Sequence, residues 1–257
     1  MRLKGFIFVA MVSFFVLQTA GFAKTTKLVV HVKAKDAKFI GTSMGGALVI
    51  VKDAETGAIL AEGITTGGTG NTTKIMREPW QRGVNLSDAS AAKFETTLDL
   101  KKPTFVTISA TGPLAQRQSA ATSSTQIWLI PGKNIEGDGV LLEIPGFAVN
   151  VISPQTSEGF KSGDAGATIS IRANVVMMCG CPVTSGGLWN ADRYEVSALV
   201  TQNGQSTQTV ALKITEKANT FAGELLATEK GTYEMTVYAY DAQSGNTGVD
   251  TVTFHVR

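Results

Sequence analysis

Met177-Met178-Cys179-Gly180-Cys181-Pro182 sets the only two cysteines of the chain two residues apart, directly behind two thioethers. Three chemistries use sulfur in this pattern. The first is a local disulfide. Its ring is so small that it removes little entropy from the unfolded chain. Alternate Cα atoms of an extended strand lie about 6.5–7 Å apart, at the edge of disulfide geometry. Gly180 and Pro182 must therefore bend the chain, and a strained bond is more readily reduced than a structural one. The second is a soft-metal site, in which thiolates of Cys179 and Cys181, helped by Met177 or Met178, select Cu(I). The third is a thiol that exchanges with a partner protein. Zinc does not suit the pattern: no His lies nearby, and two sulfurs fall short of the four ligands of a structural zinc site.

The remaining residue types offer no catalytic constellation. His31 and His255 are the only histidines and each sits inside a strand pattern, so no nucleophile–base motif can be assembled and no catalytic residue is assigned. Gly67 to Lys74 is glycine-rich but lacks the Gly-Lys-Ser/Thr order that places a phosphate-binding lysine and a magnesium ligand. It reads as a hairpin loop. Gly137-Asp138-Gly139 reads as a turn, without the spacing of a calcium loop. Ile75–Gly83, with Met76, Arg77, Trp80 and Arg82, is an irregular insertion that either caps a sandwich or contacts a partner. Asn71 and Asn85 open Asn-x-Ser/Thr sequons, which matter only in a glycosylating host.

The elements that hold these residues are β-strands. Helical periodicity is nearly absent, and short Val/Ile/Thr/aromatic runs alternate with Gly, Asn, Asp and Ser clusters, the pattern of sandwiches or barrels. In the first half, strands are predicted at Lys27–Ala34, Gly46–Lys52, Ile59–Thr65, Lys93–Leu100, Thr104–Thr111, Thr125–Ile130 and Val140–Ile144. In the second half they are predicted at Ala167–Met178, Tyr194–Thr201, Thr207–Ile214, Thr220–Leu226, Thr232–Tyr240 and Val249–Val256. The strand pattern is lost between residues 149 and 166, so the expected domains are 24–150 and 151–257.

Two stretches resemble known folds. GALVIVKDAETGAILAEGIT, over a strand, a turn and its hairpin partner, resembles the transthyretin-like or carboxypeptidase regulatory-like domains found as accessory modules in exported proteins. GTYEMTVYAYDAQSGNTGVDTVTFHV resembles the last hairpin of an immunoglobulin-like domain, with Tyr233 where such folds keep a tyrosine at the strand-F corner. The inter-sheet disulfide of antibody domains is missing, because both cysteines lie in one loop. These resemblances imply two β-sandwich domains, transthyretin-like followed by immunoglobulin-like. In the latter fold the B–C and F–G loops share one end. Cys179, Cys181, Trp189 and Asp192 are then expected to meet Asn246 and Thr247 on one surface.

Residues 1–23 have the parts of a cleavable export signal: Arg2 and Lys4, an apolar run from Gly5 to Leu17, and the small residues Gly21 and Ala23. The run is too short for a comfortable membrane span, and the rest of the chain holds no second one. Removing Arg2 and Lys4 leaves 21 basic residues against 21 acidic ones, a balance that argues against a nucleic-acid partner. The expectation is an exported, non-enzymatic binding or assembly-accessory protein of the bacterial envelope with a protein partner. The alternatives are thiol–disulfide or Cu(I) handling through Cys179 and Cys181, and a structural surface component.

Overall fold

The structure, a computed structural model, describes residues 23–257, the side chain of Thr207 excepted. All but the last residue of the expected export signal lie outside the described residues. The first half contains β1 (Lys24–Ala34), β2 (Leu48–Asp53), β3 (Ile59–Ile64), β4 (Lys93–Leu100), β5 (Thr104–Gly112), β6 (Ala121–Leu129) and β7 (Ile135–Ile144). They form a four-stranded sheet, β3-β2-β5-β6, facing a three-stranded sheet, β4-β1-β7. Alternation aims one face of each strand inward: Leu28, Val30 and Val32 of β1 meet Val49, Val51, Val106, Ile108 and Ala110 in the core.

β1 is buried on its other face as well, at Val29 and His31. The cover comes from Phe39 in the β1–β2 connection and from the long excursion between β3 and β4. Its short helix α1 (Thr72–Met76) is capped by Asn71, whose side chain accepts the Lys74 N–H. Phe39, Leu86, Ala91 and Ala92 form a satellite core there, with Ile75 and Leu141 packed against it. The glycine-rich stretch is therefore not the expected hairpin loop: it leads into α1 and the cap, and the strands on either side of it, β3 and β4, belong to different sheets. Gly137-Asp138-Gly139 lies inside β7 rather than in a free turn. It sits at the irregularity where the β1–β7 register shifts between Leu28 and Val30. Asp138 there accepts the N–H groups of Leu86 (2.6 Å) and Ser87 (2.7 Å), and so pins the cap to the sheet.

The second half contains β8 (Phe147–Ser153), β9 (Gly159–Phe160), β10 (Ala167–Met177), β11 (Val183–Thr184), β12 (Trp189–Asn190), β13 (Glu195–Gln202), β14 (Gln205–Ala211), β15 (Lys213–Ile214), β16 (Thr220–Ala227), β17 (Gly231–Tyr240) and β18 (Thr247–Val256). One sheet runs β15-β16-β10-β8 and the other β14-β13-β17-β18-β9. This is the D-E-B-A and C′-C-F-G order of an immunoglobulin-like sandwich, with β9 as an extra edge strand parallel to β18. Tyr233, Met235, Val237 and Ala239 of β17 all point into the core. The Tyr233 hydroxyl donates to the Glu229 carbonyl at 2.8 Å, the tyrosine-corner bond expected at the start of strand F.

The division between the two sets of sheets falls ahead of residue 150. β8 pairs with β10 of the second half, so only Pro145 and Gly146 separate β7 from β8. The patternless stretch after residue 153 is the loop between β8 and β10, interrupted by β9. β8 reads as one more apolar strand, and its partner lies some 25 residues downstream by register, beyond the reach of a local pattern. With a two-residue connector the halves must touch. One continuous apolar cluster runs from Ala34, Ala37 and Met44 through Phe147 and Met178 to Trp189.

Candidate functional site

The sulfur loop leaves the end of β10 and turns at once. The Gly180 N–H donates to the Met177 carbonyl at 2.7 Å, and the Met177 N–H donates back to the Cys181 carbonyl at 3.3 Å. This turn draws the Cα atoms of Cys179 and Cys181 to 5.4 Å, and the two sulfurs are bonded. Gly180 holds the positive φ the turn requires, 75°, and a Cβ there would stand 2.8 Å from Met44 Sδ of the first half. The tip of the loop is therefore pressed against the neighbouring sandwich.

The expected partners of the loop do gather at this end, yet as joints between the halves. Trp189 is buried, and its indole N–H donates to the Asp36 carbonyl at 2.8 Å. Asn246 is buried too. Its amide oxygen accepts the Gly146 N–H at 2.8 Å and its amide nitrogen donates to the Lys35 carbonyl at 3.1 Å. Asp192 is exposed and turned back into its own loop, where it accepts from the Ser185 hydroxyl at 2.7 Å. Thr247 is exposed, the first residue of β18. The expectation of one open binding surface formed by Trp189, Asp192, Asn246 and Thr247 is corrected accordingly. Strand A of an immunoglobulin-like domain starts at the end that carries the B–C and F–G loops. A preceding domain on a two-residue connector must land on those loops.

The soft-metal expectation fits this arrangement poorly. A metal needs thiolates, and Cys179 and Cys181 are joined to each other. Met177 Sδ faces the Tyr194 hydroxyl at 4.0 Å, and Met178 Cε packs against Gly146. Among the described residues no group of three or more His, Cys, Asp or Glu is placed to hold a metal. Exchange with an outside thiol is also hindered, since Cys179 is 1% and Cys181 4% exposed and attack on a disulfide needs access.

What the junction leaves open is a cleft of about 420 Å³. Its second-half side is Cys179–Pro182 with Leu188 and Trp189, and its first-half side includes Lys38, Ser43, Thr72 and Arg77. Lys38 Nζ donates to Thr72 Oγ1 at 3.0 Å. No acidic residue lines this cleft. Two carboxylates belong to the neighbouring loops: Asp241, buried and hydrogen-bonded within its own turn, and Asp36, which is exposed. Burial opposes the charge of Asp241, but hydrogen bonds from the Ser244 hydroxyl and the N–H groups of Gln243 and Ser244 hold its carboxyl below the usual range, with Arg193 adding to this. Desolvation and then the Asp241 charge push Asp36 up. Burial, reinforced by the same two acids, pushes the Tyr194 phenol to about 12, so it stays a hydrogen-bond donor. Lys38 and Ser43 escaped sequence reading, and Thr72 in the glycine-rich stretch and Arg77 in the irregular insertion were not joined to the cysteines, because nothing local links them.

The two histidines form no catalytic pair. His31 is buried, with Nδ1 2.8 Å from the Ala92 carbonyl and its ring against Phe39. His255 makes a cross-strand contact with Thr232. No helix among the described residues is long and apolar enough to cross a membrane.

No protein-family model matches the chain, and no curated protein matches it. Among solved structures it is similar to the fibronectin(III)-like modules of Clostridium thermocellum CbhA, with 12% identity, 91% of this chain and 94% of that chain covered, and a TM-score of 0.30. It is also similar to the titin domains z1z2 in complex with telethonin, with 11% identity, 93% and 97% covered, and a TM-score of 0.26. Similarity to Escherichia coli alpha-2-macroglobulin activated by porcine elastase covers 91% of this chain and 22% of that one, at 11% identity and a TM-score of 0.23. At scores this low, the assignment of the chain to all-β sandwich folds stands on its own strand pairing.

Proposed function

We propose that the chain is an exported, non-enzymatic binding or assembly-accessory protein of the bacterial envelope, and that the junction cleft is its recognition site. Export rests on the charged start, apolar run and Gly-x-Ala site of residues 1–23. The transthyretin-like reading of the first half draws support from its four-plus-three sheets around the β2–β3 hairpin. One observation carries the site: the covalently closed turn and the buried Trp189 face Lys38 and Arg77 across an open cleft. Ligand sites occur preferentially where domains meet, and here both halves contribute.

The test is crosslinking in the producing cell. A photoreactive residue at Leu188, 42% exposed on the cleft rim, is expected to give a discrete adduct. The same residue at Val249, exposed on β18, is not. Ser43→Trp, which fills the cleft from the first-half side, should abolish the Leu188 adduct. Equal labelling from both positions, or an adduct indifferent to Ser43→Trp, would remove the cleft as the recognition site.

A further inference from the structure

We infer that the junction cleft takes an acidic segment of a partner protein: a carboxylate received by Lys38 and Arg77, with an adjoining apolar side chain against Pro182, Leu188 and Trp189. This rests on the reading of the cleft as a recognition site and adds the chemistry of what it recognises.

The argument is one of charge complementarity. Lys38 and Arg77 come from separate segments of the first half, β1's following loop and the C-cap of α1, and line the same cleft. Several basic residues elsewhere have carboxylate partners: Lys27 and Lys93 with Glu95, Lys33 with Glu143, Lys102 with Glu55, and Arg193 with Asp241. Lys38 and Arg77 have none among the described residues. Lys38 uses one N–H on Thr72 and keeps its remaining donors. The Arg77 side chain is exposed and makes no hydrogen bond within the described chain. A planar guanidinium beside an ammonium suits a carboxylate, which accepts from both. Ser43 and Thr72 line the same cleft, and the Thr72 hydroxyl accepts from Lys38.

The opposite side of the cleft would not suit a bare anion. Pro182, Leu188 and the edge of Trp189 present apolar surface, and Leu188 is left 42% exposed. A ligand that satisfies both sides joins an anionic group to an apolar one within a residue or two, as a peptide with an acidic residue beside Leu, Val or Phe does. The disulfide fixes the turn on which this side stands, so the apolar side is pre-formed and binding need not order it.

The experiment uses the mature chain labelled for amide NMR, with blocked pentapeptides carrying a central Glu or Asp flanked by Leu, Val or Phe, and matched Gln or Asn peptides. Acidic peptides should shift the amides of Gly180, Leu188 and Arg77. The neutral peptides should bind at least tenfold more weakly, and so should the acidic ones to Lys38→Met/Arg77→Gln. Arg77 is exposed and Lys38 half-buried, and unshifted amides in β1 and β5 of the first half and in β10 and β17 of the second report an intact fold. Raising salt should weaken the acidic peptides, because exposed charges are screened. Inorganic phosphate alone should shift Arg77 only weakly and leave Leu188 unmoved. Equal binding of Glu and Gln peptides, binding indifferent to the double substitution, or phosphate as effective as any peptide would overturn the inference. If no peptide binds while the Leu188 crosslink persists, the acidic specificity fails and the recognition site stands. If peptides bind while no crosslink forms in cells, the site is chemically real and the envelope-partner reading fails.

Discussion

Beside β1 and β4 a depression of about 370 Å³ is lined by Lys27, Lys93 and the edge of His31. At the junction, a cleft of about 420 Å³ is lined by Lys38 and Arg77. Both carry two basic side chains, but their counter-charges differ. In the first, Glu95 sits 2.8 Å from each lysine and Glu136 lies 3.4 Å from Lys27. The lysines are ion-paired within and between strands, and the lining holds three carboxylates, Asp88, Glu95 and Glu136, against two lysines, so the depression offers a ligand no surplus of positive charge. In the second no acidic side chain is present, and the facing side is a buried tryptophan and a closed sulfur turn. The lesson is that a basic depression is informative only after its internal partners are counted. Two lysines on one sheet face meet acids on their own and neighbouring strands, whereas Lys38 and Arg77, from a loop and a helix C-cap of the first half, share no sheet register from which a partner could come.

The largest expected effect lies in the support of the junction cleft. Trp189→Ala removes a buried ring and its bond to the Asp36 carbonyl, and truncation of a buried aromatic costs about 3–5 kcal/mol. The same truncation at Trp80, 75% exposed, should stay within about 0.5 kcal/mol. Denaturant melts of the two variants check this. Because the apolar core is continuous across the halves, the parent should unfold in one transition, and Trp189→Ala is the change expected to split it into two. A parent that already melts in two steps would show that the junction is too weak to pre-form a site.

A middle-sized effect is expected from the sulfur turn. Cys179→Ala/Cys181→Ala opens a ring too small to restrict the unfolded chain much, so the loss should be about 1–2 kcal/mol. The chain should remain folded, while the Leu188 crosslink falls because the apolar side of the cleft loses its fixed shape. A variant that crosslinks like the parent would reduce the disulfide to a bystander of the cleft.

The smallest effect belongs to the depression beside β4. Hydrogen bonds from Lys27 and then Lys93 hold the Glu95 carboxyl down at about 2, opposed by desolvation. A folded-state pKa below the ordinary 4.5 means that the pairing supports the fold fully above that value. The support fades as pH falls from there toward about 2. The pair is exposed to solvent, so the change in stability should be slight and should shrink with added salt. Carboxyl-detected NMR is the direct check: Glu95 should stay ionised to about pH 2 in the parent and titrate nearer the usual range in Lys27→Met. An ordinary Glu95 titration in the parent would break the contrast, leaving Lys27 and Lys93 as available to a ligand as Lys38 and Arg77.

Much of the architecture can be read locally. Alternation in Tyr233–Ala239 assigns one face of β17 to the core, and the structure buries all four of those residues. Glycine and polar clusters mark the hairpin turns, and Tyr233 marks the sandwich corner through its bond to Glu229. The spacing of the cysteines likewise shows locally that a bond between them would shape a turn rather than staple the fold, while the sequence leaves open whether that bond forms. These features depend on neighbours within a few residues, which is the range over which sequence pattern and backbone geometry are directly coupled.

The junction is of another kind. Whether Trp189 and Asn246 face a ligand or the preceding sandwich depends on where β8 pairs, and that is set by hydrogen bonding to β10 across the second half. The same pairing shortens the connector to Pro145-Gly146, which brings Met44 onto Gly180 and Lys38 and Arg77 to the mouth of the sulfur turn. The sequence by itself determined that this is an all-β chain with both cysteines in one loop of its second half, and left the bond between them open; the structure closes it. Only the tertiary structure decided what stands opposite that turn, because contacts between separately folded sheets are fixed by the length of the connector and by surface fit, and neither the fit nor its charge partners leave a period in the chain.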